Sequence, residues 1–185
     1  MYHQALIAGF GGQGVLTCGQ VLARAAAADG KYATWMPSYG PEQRGGTAAC
    51  AVTISDRPIG SPLAEDVSAA LIFNEPSLVK FGPQLRTGSL LVLNSSRVQA
   101  PSEGTGLDVY QVQADQIARD VGLPRAANMV MLGSYLAISR VVSIEAVQDA
   151  LVNYFGIAKQ HLVEVNRIAL TAGRTLLDRL RAPTE

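Results

Sequence analysis

Apolar runs broken by glycine turns fill the first half of the chain, and helical stripes fill the second. Ala5-Leu6-Ile7-Ala8 reads as a buried strand, Gly9-Phe-Gly-Gly-Gln-Gly14 as a tight turn, and Val15 to Asp29 as a helix that stops at Gly30. Tyr32 to Met36 predicts a second strand, ended by Pro37. A loop dense in turn formers, Ser38 to Gly46, leads into Thr47 to Ile54, which alternates with period two. Ala48, Cys50, Val52 and Ile54 share one face, and Thr47, Ala49, Ala51 and Thr53 the other. No helix separates this strand from the one before it. The crossover that parallel strands need is therefore missing, and at least one antiparallel pairing follows.

Ser55-Asp56-Arg57-Pro58 predicts a turn, with an irregular connection through Pro62. Val67 to Phe73, apolar apart from Ser68, and Leu90 to Leu93 read as parallel strands buried on both faces. Asn74-Glu75-Pro76-Ser77 follows the first of these, with Pro76 in the first turn of a short helix through Phe81; Asn94-Ser95-Ser96 follows the second. After a loop from Pro101 to Gly106, Val109 to Val112 forms an edge strand before a polar helix from about Ala114. From Ala127 onward three stripes appear. They are Met129, Leu132 and Leu136; then Ile144, Val147, Leu151 and Tyr154 behind a Ser143 cap; then Leu162, Val165, Ala169, Ala172, Leu176 and Leu180. Gly156 separates the last two stripes, all three are expected to face the core, and the tail from Arg181 is expected to be loose. The pattern predicts an α/β fold: a three-layer Rossmann-like domain over residues 1–185, with a mixed, mostly parallel sheet and a helical C-terminal part.

Charge narrows the partners. Fifteen basic and fifteen acidic residues give a formal charge of zero, so no basic field exists to gather nucleic acid or an anionic membrane surface. Charged residues make up 16% of the chain, against about 25% in ordinary domains. A surface partly covered by another chain is one explanation, and a compact alanine-rich monomer is the other. With no basic, hydrophobic leader and no apolar run of bilayer length, a cytoplasmic location is expected. Cys18 and Cys50 lie far apart and form no Cys-x-x-Cys pair, whereas clusters and structural zinc sites normally take about four ligands. Two small buried thiols are the expectation.

The glycine turn carries the first candidate chemistry. Gly9, Gly11, Gly12 and Gly14 allow a sharp turn and close backbone approach, and the following helix offers unpaired N–H donors to a phosphate or carboxylate. A dinucleotide fold would place Asp or Glu about twenty residues further on for the ribose. Lys31 to Pro37 contains no acid. A stand-alone reductase using NAD or FAD thus lacks its second requirement and stands as the alternative, beside a turn kept for packing or for a subunit contact. Ligands in open α/β sheets gather outside the carboxyl ends of the strands, which would bring Asn74, Glu75, Asn94, Ser95 and Ser96 beside the turn. The same side chains also suit local capping of turns and helices. If the first two strands are neighbours, the loop from Ser38 to Gly46 adjoins the turn, and its Arg44 can grip an anion with two hydrogen bonds unless Glu42 occupies it.

Gly9-Phe-Gly-Gly-Gln-Gly-Val15, Trp35-Met-Pro-Ser-Tyr-Gly-Pro-Glu-Gln-Arg-Gly-Gly-Thr47, Ile54-Ser-Asp56, Asn74-Glu-Pro-Ser-Leu78 and Asn94-Ser-Ser96 occur in order. Together they strongly resemble the gamma subunit of 2-oxoacid:ferredoxin oxidoreductases, in the 2-oxoglutarate and branched-chain branch. Gln43 stands where related chains often have Met. The resemblance implies a complex that decarboxylates a 2-oxoacid on thiamine diphosphate and magnesium, passes electrons through 4Fe-4S clusters to ferredoxin, and transfers the acyl group to coenzyme A, or runs in reverse. Alpha and beta subunits and a ferredoxin-like delta subunit are the implied partners. The cofactors belong to those companions, since this chain has no Gly-Asp-Gly segment with a downstream Asn and no cysteine set. No residue here is expected to be catalytic or to bind metal. Gly9, Gly11, Gly12, Gln13, Gly14, Arg44, Asn74, Asn94 and Ser95 are expected to contact coenzyme A or to serve the subunit interface.

Overall fold

In the computed structural model, which describes residues 1–39, 46–63, 66–101 and 104–181, the apolar runs form one six-stranded sheet. The strands are β1 (Tyr2–Phe10), β2 (Tyr32–Tyr39), β3 (Thr47–Ser55), β4 (Ala69–Ile72), β5 (Leu90–Asn94) and β6 (Asp108–Val112). Their spatial order is β2-β3-β1-β4-β5-β6. β3 runs antiparallel to both β1 and β2, while β4 is parallel to β1, β5 to β4 and β6 to β5. The mixed sheet expected from the missing crossover is therefore present. β1 and β2 are not neighbours, because β3 returns between them. β2 also continues through Pro37 to Tyr39 instead of stopping at Met36. It has a partner on one side only, and an edge strand tolerates a residue without an N–H.

The helices are α1 (Val15–Ala28), α2 (Glu75–Phe81), α3 (Ala114–Asp120), α4 (Ala127–Ser139), α5 (Ile144–Phe155) and α6 (Gln160–Arg181). Local chemistry sets several of their ends. Asn74 caps α2 by accepting from Ser77 N, and Ser143 caps α5 by accepting from Ala146 N. Gly30 and Gly156 adopt the positive φ that stops α1 and α5, at 74° and 73°. One face of the sheet carries α1 and α4, with the larger apolar cluster between. α5 packs on α1, and α6 lies across α4 as a further tier. α2 and the 3₁₀ turn Gly82–Gln84 lie on the second face, over the smaller cluster of Leu6, Ala8, Ile72, Leu91 and Leu93. No described helix is long and apolar enough to cross a membrane.

Two helical stripes differ from expectation for one reason. In α4 the predicted residues Met129, Leu132 and Leu136 are buried, but so is every other residue from Asn128 to Ala137. Sheet, α1, α3 and α6 enclose it. Among the described side chains of α6 the buried positions are Val163, Ala169, Leu170 and Gly173, with Leu162, Val165, Ala172 and Leu176 of the predicted stripe only half-buried and Leu180 outside the described side chains. The helix is rolled because Gly173 meets α4 at Val130 and Gly133 of α4 meets Leu170. Ser134 Oγ closes the crossing by donating to Gly173 O at 3.0 Å. The tail beyond Arg181 lies outside the described residues.

Cys18 and Cys50 are free, buried thiols, as expected. Cys18 Sγ points to Asn128 O at 3.8 Å and Cys50 Sγ to Val15 O at 3.6 Å. Burial pushes the Cys18 thiol well above the ordinary range and Cys50 up to about 12, so neither is a thiolate near neutral pH.

A polar network ties the opposite end of β1 to α4. His3 Nε2 lies 2.6 Å from the buried Tyr135 hydroxyl, and His3 Nδ1 lies 3.2 Å from Ser68 Oγ. Burial lowers the His3 pKa from its ordinary 6.5. The unfolded chain then holds the imidazole proton more readily than the folded one, so the neutral network contributes fully above the ordinary 6.5 and progressively less as the pH falls toward the folded-state pKa. The unfolding midpoint is expected to drop more between about pH 7 and about pH 5 in the parent than in His3→Gln. Identical pH profiles for the two proteins would remove His3 from this account.

Candidate functional site

The glycine turn is built by its neighbours as much as by its own residues. A Cβ on Gly9 would stand 2.6 Å from Gln13 Oε1 and 2.8 Å from Phe73 Cβ, so β1 and the end of β4 approach more closely than any side chain allows. Gly12 and Gly14 have φ of 91° and 75°, the conformation that glycine adopts without strain. Gln13 folds back into the turn. Its Oε1 accepts from Phe10 N at 2.6 Å and from Asn74 Nδ2 at 3.2 Å, and its Nε2 donates to Phe73 O at 3.4 Å. Gln13 and Asn74 are thus brought together and hold the turn against the start of α2. Gly11 and Gly12 stay exposed.

α1 follows Gly14 with neither a capping side chain nor an acidic residue in its first turn, and α4 follows Ala126 in the same condition. The two ends meet where Asn128 Nδ2 donates to Gly14 O at 3.2 Å. Each uncapped end presents N–H donors and a partial positive charge. Arg125, two residues before α4, makes no ion pair among the described residues and lies on the rim of three clefts, two of which run along the glycine turn. One cleft, of about 410 Å³, runs past Gly12, Gln13, Phe73 and Arg97; the other, of about 470 Å³, past Gly14, Thr17, Asn128 and Lys159.

Strand-end residues divide by role. Asn94 is fully buried, donates from Nδ2 to Asp115 Oδ1 at 2.9 Å, and accepts from Ser96 N at 3.3 Å. Ser95 gives its backbone N–H to Val112 O. Exposed Glu75 accepts from Gln99 N at 3.2 Å, and Arg97 pairs with Asp115 at the cleft wall. Asn74 and Asn94 thus serve the fold's own hydrogen bonding, the capping role that their residue types also suited. Arg44 and Glu42 lie outside the described residues. β3 starts beside the turn, where Phe10 is paired with Thr47 and Gly11 N donates to Gly46 O at 3.2 Å.

Sequence reasoning missed Arg97, Arg125 and Lys159. A signal for Arg125 existed, because any residue just before a helix that starts at the strands' carboxyl ends must stand at that rim. Lys159 gave none, since only the turn after α5 brings it back. The dinucleotide reading loses further ground here. The strand next to β1 on that side is antiparallel β3, which begins at Thr47 beside the turn and places no acid there for a ribose.

Among the described residues no group of three or more His, Cys, Asp or Glu is placed to hold a metal ion. With Cys18 and Cys50 buried on separate elements, the chain's own donors do not fit an iron–sulfur cluster.

Comparison with known proteins gives one consistent relationship. The family described as pyruvate ferredoxin/flavodoxin oxidoreductase matches residues 4–176. The chain is 39% identical over 168 residues to the ketoisovalerate oxidoreductase subunit VorA of Methanothermobacter marburgensis, covering 90% of this chain and 35% of that one. It is 34% identical over 184 residues to the 2-oxoglutarate synthase subunit KorC of the same organism, covering 96% and 97%. It therefore spans about a third of one relative and nearly all of the other. The crystal structure of a keto/oxoacid ferredoxin oxidoreductase gamma subunit from Geobacter sulfurreducens superposes with a TM-score of 0.84 at 31% identity, covering 97% of this chain and 98% of that one.

Proposed function

Because this chain belongs to the pyruvate ferredoxin/flavodoxin oxidoreductase family, we propose that residues 1–185 form one gamma-type domain of a multi-subunit 2-oxoacid:ferredoxin oxidoreductase. The observation that carries this reading is the end-to-end match to a 2-oxoglutarate synthase subunit of nearly equal length. The reaction is the conversion of 2-oxoglutarate, coenzyme A and oxidised ferredoxin to succinyl-coenzyme A, carbon dioxide and reduced ferredoxin, or its reverse. Thiamine diphosphate with magnesium and iron–sulfur clusters, held by the alpha, beta and delta companions, supply decarboxylation and electron transfer. This chain is an accessory cytoplasmic subunit and is inactive alone.

Its own residues contribute an anion-binding wall. The uncapped starts of α1 and α4, exposed Gly11 and Gly12, and Arg125 with Arg97 beside it suit the diphosphate of coenzyme A. Gln13 and Asn74 act one step back, fixing the turn so that its N–H groups keep their aim. Gly9 and Gly14 set its backbone path, Asn94 and Ser95 brace the neighbouring strand end, and Arg44 is the further cation that this reading assigns to the anion. Arg44→Ala in the assembled complex is expected to raise the apparent KM for coenzyme A roughly tenfold, the loss of one charge-assisted hydrogen bond. Unchanged KM and turnover would end the coenzyme A assignment, and a reduced yield of intact complex would assign the loop to assembly.

A further inference from the structure

Asp115 stands where an anion-binding wall would not place a carboxylate. It lines the cleft of about 410 Å³ with Gly12, Gln13, Arg97 and Arg125, and by charge alone it weakens the hold of that cleft on a phosphate. Its own helix does not use it. No backbone N–H of α3 donates to it, and both of its oxygens go instead to side chains at the end of β5. Oδ1 accepts from Asn94 Nδ2 at 2.9 Å, and Oδ2 accepts from Arg97 Nε. The buried Asn94 amide is held in that sense, because its own Oδ1 accepts from Ser96 N at 3.3 Å. Asn94 also fixes Arg97 from the other end, its carbonyl accepting from Arg97 N at 2.9 Å and from Val98 N at 3.0 Å. Backbone and guanidinium of Arg97 are thus tied to one buried residue, the first directly and the second through Asp115.

The way this carboxylate is shared decides what remains of Arg97. A carboxylate that meets a guanidinium with both oxygens uses up one edge of the fork. Here Asn94 occupies one oxygen, so Asp115 takes only the Nε–H, and Nη1 and Nη2 of Arg97 have no partner among the described residues. The terminal N–H donors stay available, on a side chain that is 53% exposed at the cleft while that of Asp115 is 12% exposed. We propose that Asp115, held by Asn94, is a positioning residue that aims the terminal fork of Arg97 into the cleft, where the fork grips two oxygens of one phosphate group of a phosphate ester. The inference rests on the anion wall proposed above and adds to it which cation grips by geometry and what aims it. Orientation and charge then act in opposite directions at position 115. Asp115→Asn removes a repulsion from the anion, but it leaves one acceptor oxygen where Asn94 Nδ2 and Arg97 Nε each had their own, so the hold on the guanidinium is loosened.

The assembled complex tests this through the KM for coenzyme A in ferredoxin reduction. Arg97→Lys keeps the charge and loses the fork, and it is expected to raise KM about tenfold, as Arg97→Gln does, with kcat unchanged. Asp115→Asn is expected to raise KM by roughly threefold or more, although it takes a negative charge away from the wall. A carboxylate that only braced α3 against β5 would, on replacement, lower the unfolding midpoint and the yield of complex and leave KM where it was. A parent-like KM in Arg97→Lys, or an unchanged or lowered KM in Asp115→Asn, would overturn the proposal while leaving the subunit reading intact. Should Asp115→Asn fail to fold, Arg97→Lys decides alone, since its side chain lies at the exposed end of the relay. A parent chain that does not assemble with its companions, or a parent complex whose turnover does not depend on coenzyme A, would overturn the subunit reading and this inference together.

Discussion

Gly173→Ala is expected to destabilise the chain by about 3 kcal/mol, at the upper end of what overpacking costs. For a chain of this length that lowers the unfolding midpoint by roughly 6–12 °C. Two effects of opposite sign compete at this site. In a free helix the change would stabilise by about 1 kcal/mol, because alanine is the better helix former. In the folded chain the added Cβ would lie 2.0 Å from Val130 O, inside any possible contact, and the obstacle is helix backbone that cannot rotate away. Gly133 poses the same problem from the other side, 1.9 Å from Leu170 O. The helices must separate, which opens the larger apolar cluster and breaks the Ser134 bond to Gly173 O. Packing wins over propensity. Gly60→Ala, where the new atom meets nothing within 4 Å, is the control and should leave the midpoint unchanged. A stabilised Gly173→Ala protein would show that α4 and α6 do not cross at this distance.

Gly14→Ala is expected to cost about 2–3 kcal/mol for two separable reasons. Its φ of 75° is unfavourable for alanine, and the Cβ would stand 2.4 Å from Asn128 Nδ2. Asn128→Ala alone should cost about 1 kcal/mol, since Gly14 O keeps its bond from Cys18 N. In the double variant the steric conflict is gone and only the backbone penalty remains. The combined loss should therefore fall short of the sum of the two by about 1 kcal/mol. Strict additivity, measured by chemical denaturation of the four proteins, would mean that the starts of α1 and α4 are not in contact. That would also separate the two clefts flanking Arg125 and weaken the anion wall.

These two glycines mark where the sequence was readable and where it was not. Gly14 lies in a dense run right after an apolar strand, and the turn it belongs to follows from local chemistry alone. Gly133 and Gly173 sit singly inside helical patterns forty residues apart, and nothing local says that they face each other. That crossing is what rolls α6 away from the stripe of Leu162, Val165 and Ala172. The antiparallel β3 was legible because a crossover helix is absent between Tyr32 and Thr47. Its position between β1 and β2 was not, because strand order depends on pairings that no short window encodes. Asn74 and Asn94 were legible as polar strand ends, but their division between capping and ligand contact depends on Ser77 and Asp115, which only the fold brings near. Arg125 needed the turn into α4 before its place between two clefts could be seen.

In the function proposed above, this chain completes a catalytic assembly without performing electron or acyl transfer itself. Its most direct test is 2-oxoacid- and coenzyme A-dependent reduction of ferredoxin, measured for the purified chain, for the companion chains without it, and for the reconstituted whole. Full turnover is expected only when all are present, and none from this chain alone. Reduction of ferredoxin, NAD or FAD by the isolated chain would contradict it.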